Sequence, residues 1–73
     1  MDVDRIGAAA GLIWQRLRQG GELTLLEIKK TRGDCTSDEI VAGLGWLARE
    51  GKVSIEPRSR RYYVSLVEAD AIV

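Results

Sequence analysis

The chain opens with apolar residues at helical spacing. Four of them lie three or four positions apart and so share one stripe of a helix: Ile6, Ala10, Ile13 and Leu17. Asp2 or Asp4 can cap the start of this helix, and the Gly20-Gly21 pair stops it. The pattern therefore predicts a first helix over about residues 2–19.

Two Thr-x-x-Glu sequences then mark two further helix starts. Thr24 to Glu27 and Thr36 to Glu39 each match the capping box, in which the two side chains bond each other's backbone N–H groups. They predict a second helix over about 25–31, which buries Leu25 or Leu26 with Ile28, and a third over about 37–50. The third helix is expected to turn these residues inward: Ile40, Val41, Leu44, Leu47 and Ala48.

After Gly51, which suits a left-handed helix end, the apolar period changes to two. Two runs alternate apolar and polar positions around a basic tip, and their apolar members are Val53, Ile55, Tyr62, Val64 and Leu66. This predicts a β-hairpin over about 52–66, followed by a tail over 67–73. The fold class is therefore α+β, mostly α: one domain over 1–73, with three helices and a two-stranded wing, the winged helix-turn-helix order.

Composition narrows the function. The chain has 73 residues, one Cys and no His, so it can form neither an internal disulfide nor a common zinc or copper site. Without imidazole or a glycine-rich phosphate loop we expect no enzyme, no cofactor and no metal. So small a core is marginally stable, which favours a homodimer. No signal peptide or membrane segment is recognisable, so we expect a cytoplasmic protein.

One stretch is more distinctive. The residues 43–53, Gly-Leu-Gly-Trp-Leu-Ala-Arg-Glu-Gly-Lys-Val, occur with Gly11-Leu12-Ile13-Trp14 and Gly21-Glu22-Leu23-Thr24. Together they resemble a small winged helix-turn-helix family of bacteria and archaea that has no firmly assigned function. The resemblance covers about residues 4–66. It implies a compact domain that forms homodimers and binds DNA.

The third helix has few of the groups that read DNA. Opposite the apolar stripe we expect Asp38, Glu39, Ala42, Gly45, Trp46 and Arg49. Residues 36–50 hold one cation and three acids, a formal charge of −2. Acids at the start of a helix favour its dipole but repel phosphate. Base reading by this helix is therefore expected to be weak.

The hairpin has the opposite charge. Residues 49–61 hold five cations against two acids, a formal charge of +3, and the cations are Arg49, Lys52, Arg58, Arg60 and Arg61. They suit phosphate contacts, although an ordinary solvated turn fits equally well. A second cluster of Lys29, Lys30 and Arg32 could add a backbone clamp or simply complement a helix C-terminus.

Several apolar residues are candidates for a protein interface. Trp46 lies away from the apolar stripe beside small neighbours, which is typical of an interface anchor, but it could also fold over the edge of the core. The other candidates are Ala42 on the same helix, Ala8 and Leu12 opposite the stripe of the first helix, and Ile72 in the apolar tail. Cys35 is expected to be a small buried residue in the turn.

We therefore expect a dimeric, transcription-regulator-like module that binds double-stranded DNA, with backbone contacts made mainly by the basic wing. The alternative is a protein-interaction or dimerisation module that does not bind DNA and uses the Trp46 face of the third helix. Fold alone does not decide between them.

Overall fold

The computed structural model describes residues 1–67 and contains three helices and one small sheet. The elements in chain order are α1 (Val3–Gly20), β1 (Leu23–Thr24), α2 (Leu25–Lys30), α3 (Ser37–Arg49), β2 (Val53–Arg58) and β3 (Arg61–Leu66). The predicted winged helix-turn-helix fold is confirmed, and each helix begins and ends within one residue of its predicted bounds. Within the described residues, no helix is long and apolar enough to cross a bilayer.

The sheet has one strand more than the sequence predicts. Its order is β1-β3-β2 and both pairs are antiparallel. Val64, on the central strand, lies opposite Leu23 on one side and Ile55 on the other. β1 contains only two residues, too few to show an alternating pattern, so nothing in the local sequence identifies it as a strand.

Both capping boxes form as predicted. The Thr24 side chain accepts from the Glu27 N–H at 3.1 Å, and the Thr36 side chain accepts from the Glu39 N–H at 3.0 Å. Each glutamate in turn accepts from the backbone N–H of its threonine, at 2.8 Å and 2.9 Å. Because the two boxes satisfy N–H groups that a helix start leaves free, the sequence sets where α2 and α3 begin.

The hydrophobic core lies between the helices and the inner face of the sheet. It consists of Ala9, Ala10, Ile13, Leu17, Ile28, Ile40, Leu44, Leu47, Val53 and Val64. The predicted stripe of α1 is buried except for Ile6, which is half-buried. Leu25 packs against this core, whereas Leu26 points to solvent.

The inward face of α3 differs from the prediction. Val41 and Ala48 are exposed, while Glu39 and Gly43 are buried. A Cβ atom built on Gly43 would come within 2.8 Å of the backbone nitrogen of Ala10, so only glycine lets α1 approach this closely. The helix is therefore turned toward α1, a rotation that apolar periodicity cannot show because it treats glycine as neutral and glutamate as exposed.

The wing also buries less than predicted. Val53 and Val64 are buried and Leu66 is half-buried, but Ile55 and Tyr62 are largely exposed. All five lie on one face of the hairpin, as the register requires. Tyr62 lies two residues nearer the tip than Val64, and Ile55 lies on the edge strand β2.

The wing turns through two residues with left-handed backbone. Ser59 has φ 50° and Arg60 has φ 67°, with Arg58 and Arg61 paired on either side. A two-residue turn of this kind favours asparagine and glycine, and other residues adopt it at a cost of about 1–2 kcal/mol each. The tip therefore keeps an arginine at a position where glycine would be more stable.

Candidate functional site

A cleft between α2 and the wing brings two of the predicted basic clusters together. Its volume is about 230 Å³, and its lining residues are Thr24, Leu25, Leu26, Lys29, Arg60, Arg61 and Tyr62. Lys29 comes from the second half of α2, and the two arginines come from the wing tip and the first residue of β3. The approach of β3 to α2 thus brings three basic residues to the edge of one opening, with Arg61 on the strand face opposite Tyr62.

These cations are not neutralised by carboxylates within the described part of the chain. Lys29, Arg60 and Arg61 make no ion pair among residues 1–67. The neighbouring acids are engaged elsewhere: Glu27 accepts from the Thr24 N–H and hydroxyl, and Glu22 binds another arginine. The cleft is therefore a site of positive potential suited to an anion.

Arg58 serves a different purpose from the other wing arginines. Its guanidinium lies 2.6 Å from a Glu22 oxygen and 3.5 Å from a Glu56 oxygen, and it stacks over the Tyr63 ring at 4.1 Å. The hydrogen bond to Glu22 raises the pKa of Arg58. These contacts reach from β2 across β3 to the residue before β1, so Arg58 ties the wing to the rest of the sheet.

Glu39 was expected on the solvent face of α3, and this prediction is wrong. The residue is 7% exposed, and its carboxylate accepts from Arg5 Nε at 3.1 Å and from Arg5 Nη2 at 3.0 Å. Arg5 also donates to the Asp34 carbonyl at 2.8 Å. The Arg5 hydrogen bond and then the Thr36 N–H hold the pKa of Glu39 below its usual value. The open face of α3 is consequently less acidic than the sequence suggests.

The other candidate cations do not line the cleft. Lys30, Arg32 and Arg49 are exposed, and Lys52 borders a different depression, between α1 and α3. Of the eight candidate cations, three therefore line the cleft and Arg58 forms ion pairs within the sheet. The remaining four are surface charges.

A second depression lies between α1 and α3, and both tryptophans border it. Its volume is about 350 Å³, and it is lined by Gly7, Ala10, Gly11, Trp14, Trp46, Leu47 and Lys52. Trp46 is 50% exposed, while Arg18 stacks on Trp14 at 4.8 Å. Nothing lies within 4 Å of where a Cβ atom would stand on Gly7 or Gly11. We call this depression the tryptophan groove.

The remaining interface candidates are scattered. Leu12 packs against the core, so its predicted place opposite the buried stripe is wrong; the turn at Gly33 covers it, where a Cβ atom would lie 3.5 Å from Leu12 Cδ2. Ala42 is half-buried and Ala8 is exposed. Cys35 packs partly against the core, as a small apolar residue would. Ile72 lies outside the described residues.

Sequence reasoning missed two features of these sites. Tyr62 and Leu26 line the cleft with their side chains open to solvent, although the pattern assigned both to apolar faces. Arg5 pairs with a residue 34 positions away, which no local motif can reveal. The sequence does contain one sign of this surface: Tyr62 directly follows Arg60 and Arg61. An aromatic residue beside cations indicates a surface that can stack on a ring as well as attract an anion.

Comparison with known proteins confirms the winged helix-turn-helix fold. The chain is similar to the solution NMR structure of protein BT2368 from Bacteroides thetaiotaomicron, with a TM-score of 0.75 and 29% identity over 90% of this chain and 79% of that one. No curated protein matches it. A family model described as a winged helix-turn-helix domain, DUF2582, matches residues 1–66. The chain therefore belongs to the DUF2582 family of winged helix-turn-helix domains.

Proposed function

We propose that this protein binds duplex DNA through the cleft between α2 and the wing. The observation that carries the proposal is the meeting of Lys29, Arg60 and Arg61 around one opening with no ion pair among residues 1–67. Unpaired cations on a hairpin and a neighbouring helix suit phosphates spaced along a DNA strand. The winged helix-turn-helix fold supports the same function.

Recognition of sequence plays a small part in this binding. Between the first and last residues of α3, the exposed positions after Asp38 are Val41, Gly45, Trp46 and Ala48. Only Trp46 has a hydrogen-bonding side chain, and it borders the tryptophan groove. The burial of Glu39 with Arg5 removes one repulsive charge but adds no reading group. The protein therefore holds the DNA backbone with little preference for sequence.

The test measures anisotropy of a labelled mixed-sequence duplex at several salt concentrations, starting near ~50 mM. Full-length protein should bind, with affinity falling steeply as salt rises. Arg60→Ala/Arg61→Ala should weaken binding to all sequences alike and lower the salt slope by about 1.8, since each lost phosphate contact removes about 0.9.

The matched control is Arg16→Ala/Arg18→Ala, which removes the same charge from α1, where neither residue lines the cleft. A general charge effect would change both double variants equally and contradict the proposal. So would the absence of duplex binding by the unaltered protein at the lowest salt.

We further propose that the tryptophan groove is a protein interface, and that two copies of the chain meet there in a dimeric, cytoplasmic regulator of transcription. The specific observation is that Trp46 is half-exposed beside a floor of Gly7 and Gly11 with open space above it. Partly exposed aromatic residues around a shallow depression are typical anchors of interfaces. If DNA binding fails, this groove supports the alternative of an interaction module.

Sedimentation of the full chain tests the dimer. A dimer at micromolar concentration that Trp46→Glu converts to a folded monomer supports this interface. Val41→Glu is the matched control, because it puts the same charge on an exposed position of the same helix outside the groove. A monomer of 8.1 kDa in the unaltered protein would contradict dimerisation.

A further inference from the structure

The cationic cleft contains an aromatic ring that phosphate binding alone does not need. Tyr62 is 53% exposed and Leu26 is 61% exposed, and both line the opening beside Lys29, Arg60 and Arg61. A surface that contacts only phosphate needs charge and hydrogen-bond donors. Exposed aromatic and apolar side chains next to such charge favour a ligand that has both an anionic and a flat apolar part.

The position of Tyr62 explains why the ring is open. It lies on the face of β3 that carries the buried Val64, but nearer the tip, where α2 is the only helix beside it in the cleft. The neighbouring Tyr63 lies on the other face, and the Arg58 guanidinium covers its ring at 4.1 Å. Among the described residues, no cation stacks on Tyr62 in this way.

Charge and size narrow the ligand further. The cleft lining contains three cations and no carboxylate, so it attracts a polyanion. Its volume of about 230 Å³ leaves room for a small planar group beside the cations. In duplex DNA the faces of the bases are stacked on each other, so a base can reach Tyr62 only where it is unpaired.

We propose that the cleft binds an unpaired nucleotide of single-stranded DNA, with the base against Tyr62 and Leu26 and the adjacent phosphates on Lys29, Arg60 and Arg61. The proposal rests on the DNA binding proposed above and adds that the preferred DNA has an unpaired nucleotide at this cleft. It predicts that the protein prefers single strands, or duplexes with single-stranded ends, over blunt duplexes. The stacking is tolerant of sequence because every base offers a flat face.

The experiment compares three labelled DNAs on the full chain by anisotropy: a short oligothymidylate, a blunt duplex, and the same duplex with a single-stranded overhang. The oligothymidylate and the overhang should bind more tightly than the blunt duplex. Tyr62→Ala should weaken binding to both by about tenfold and leave the blunt duplex unchanged. Tyr62→Phe should restore the binding, because it keeps the ring.

Val41→Ala is the control for the loss of an exposed apolar side chain that lines neither the cleft nor the tryptophan groove, and it should leave oligothymidylate binding unchanged. A second measurement does not depend on a variant. Oligothymidylate should shift the NMR signals of the Leu26 methyl groups in the unaltered protein, because a base ring lies beside them in the complex.

The outcomes separate this inference from the function on which it rests. Duplex binding that depends on Arg60 and Arg61, with no preference for single strands and unmoved Leu26 signals, overturns the inference alone. Failure to bind every DNA at the lowest salt overturns both. If thymidine monophosphate or polyglutamate displaces the oligothymidylate at equal phosphate or carboxylate concentration, the site takes a free nucleotide or an acidic peptide, and the inference is also wrong.

Discussion

The contact between α1 and α3 and the cleft between α2 and the wing are built in opposite ways. In the first, Gly43 lies against the Ala9–Ala10 backbone, and the Arg5–Glu39 ion pair closes one end of the contact. In the second, three cations surround open space without ion pairs among residues 1–67. This small domain thus packs closely where α1 meets α3 and leaves basic residues without ion partners, among residues 1–67, where α2 meets the wing.

The largest change in stability is expected from a substitution in the contact between α1 and α3. Gly43→Ala should destabilise the fold by about 2 kcal/mol, because the added Cβ meets backbone atoms of α1 that cannot move alone. Gly45→Ala, two residues further along the same helix, meets nothing within 4 Å and should stabilise by up to about 1 kcal/mol through helix propensity. Urea unfolding of both variants measures the difference. Equal effects would show that α1 and α3 do not approach this closely.

The next largest change in stability is expected from the glutamates of the two capping boxes, which differ in burial. Glu39→Gln should lower the urea midpoint more than Glu27→Gln, because Glu39 is buried and binds Arg5 as well as the Thr36 N–H. Glu27 bonds only within its own exposed box. Arg5→Met and the Arg5→Met/Glu39→Gln double variant complete a cycle that measures how much of the loss is the pairing itself. If Glu39→Gln and Glu27→Gln unfold at the same urea midpoint, the burial of Glu39 adds no stability to its capping box.

A smaller effect follows from pH. The pKa of Glu39 is lowered in the folded protein, so its contribution to stability is complete above the unfolded value of about 4.3 and is lost as pH falls through the folded value. The gap in unfolding midpoint between the unaltered protein and Glu39→Gln should therefore narrow as the pH falls below about 4.3. Urea titrations across this range provide the measurement, and a constant gap would contradict the assignment.

The smallest change in stability is expected from substitutions of the cations that line the cleft. Replacing Lys29, Arg60 and Arg61 singly with Ala should change stability by no more than about 0.5 kcal/mol, since none has an ion partner among residues 1–67. Arg60→Gly should be slightly stabilising, because Arg60 has φ 67°. Thermal unfolding checks each variant. A marked loss of stability would show that these cations hold the wing in place.

Local patterns predicted most of the fold but little of the site. The capping boxes at Thr24 and Thr36 and the glycines that end α1 and α3 are decided by neighbouring residues, so the helices could be placed from the sequence. The burial of Glu39 depends on Arg5, which lies 34 positions away. The cleft likewise exists only because the wing folds back beside α2, and no local pattern determines the distance between them.

The order of the strands has a consequence for how the chain acquires its structure. β1 and β2 do not pair with each other, because β3 lies between them and comes last along the described chain. Until Arg61–Leu66 is in place, residues 23–24 have no strand beside them, and their pairing with β3 must close a loop of about forty residues. The helices can form from local contacts alone, whereas the sheet cannot form until β3 is in place. The cleft between α2 and the wing and the complete core therefore form together, when β3 joins the sheet.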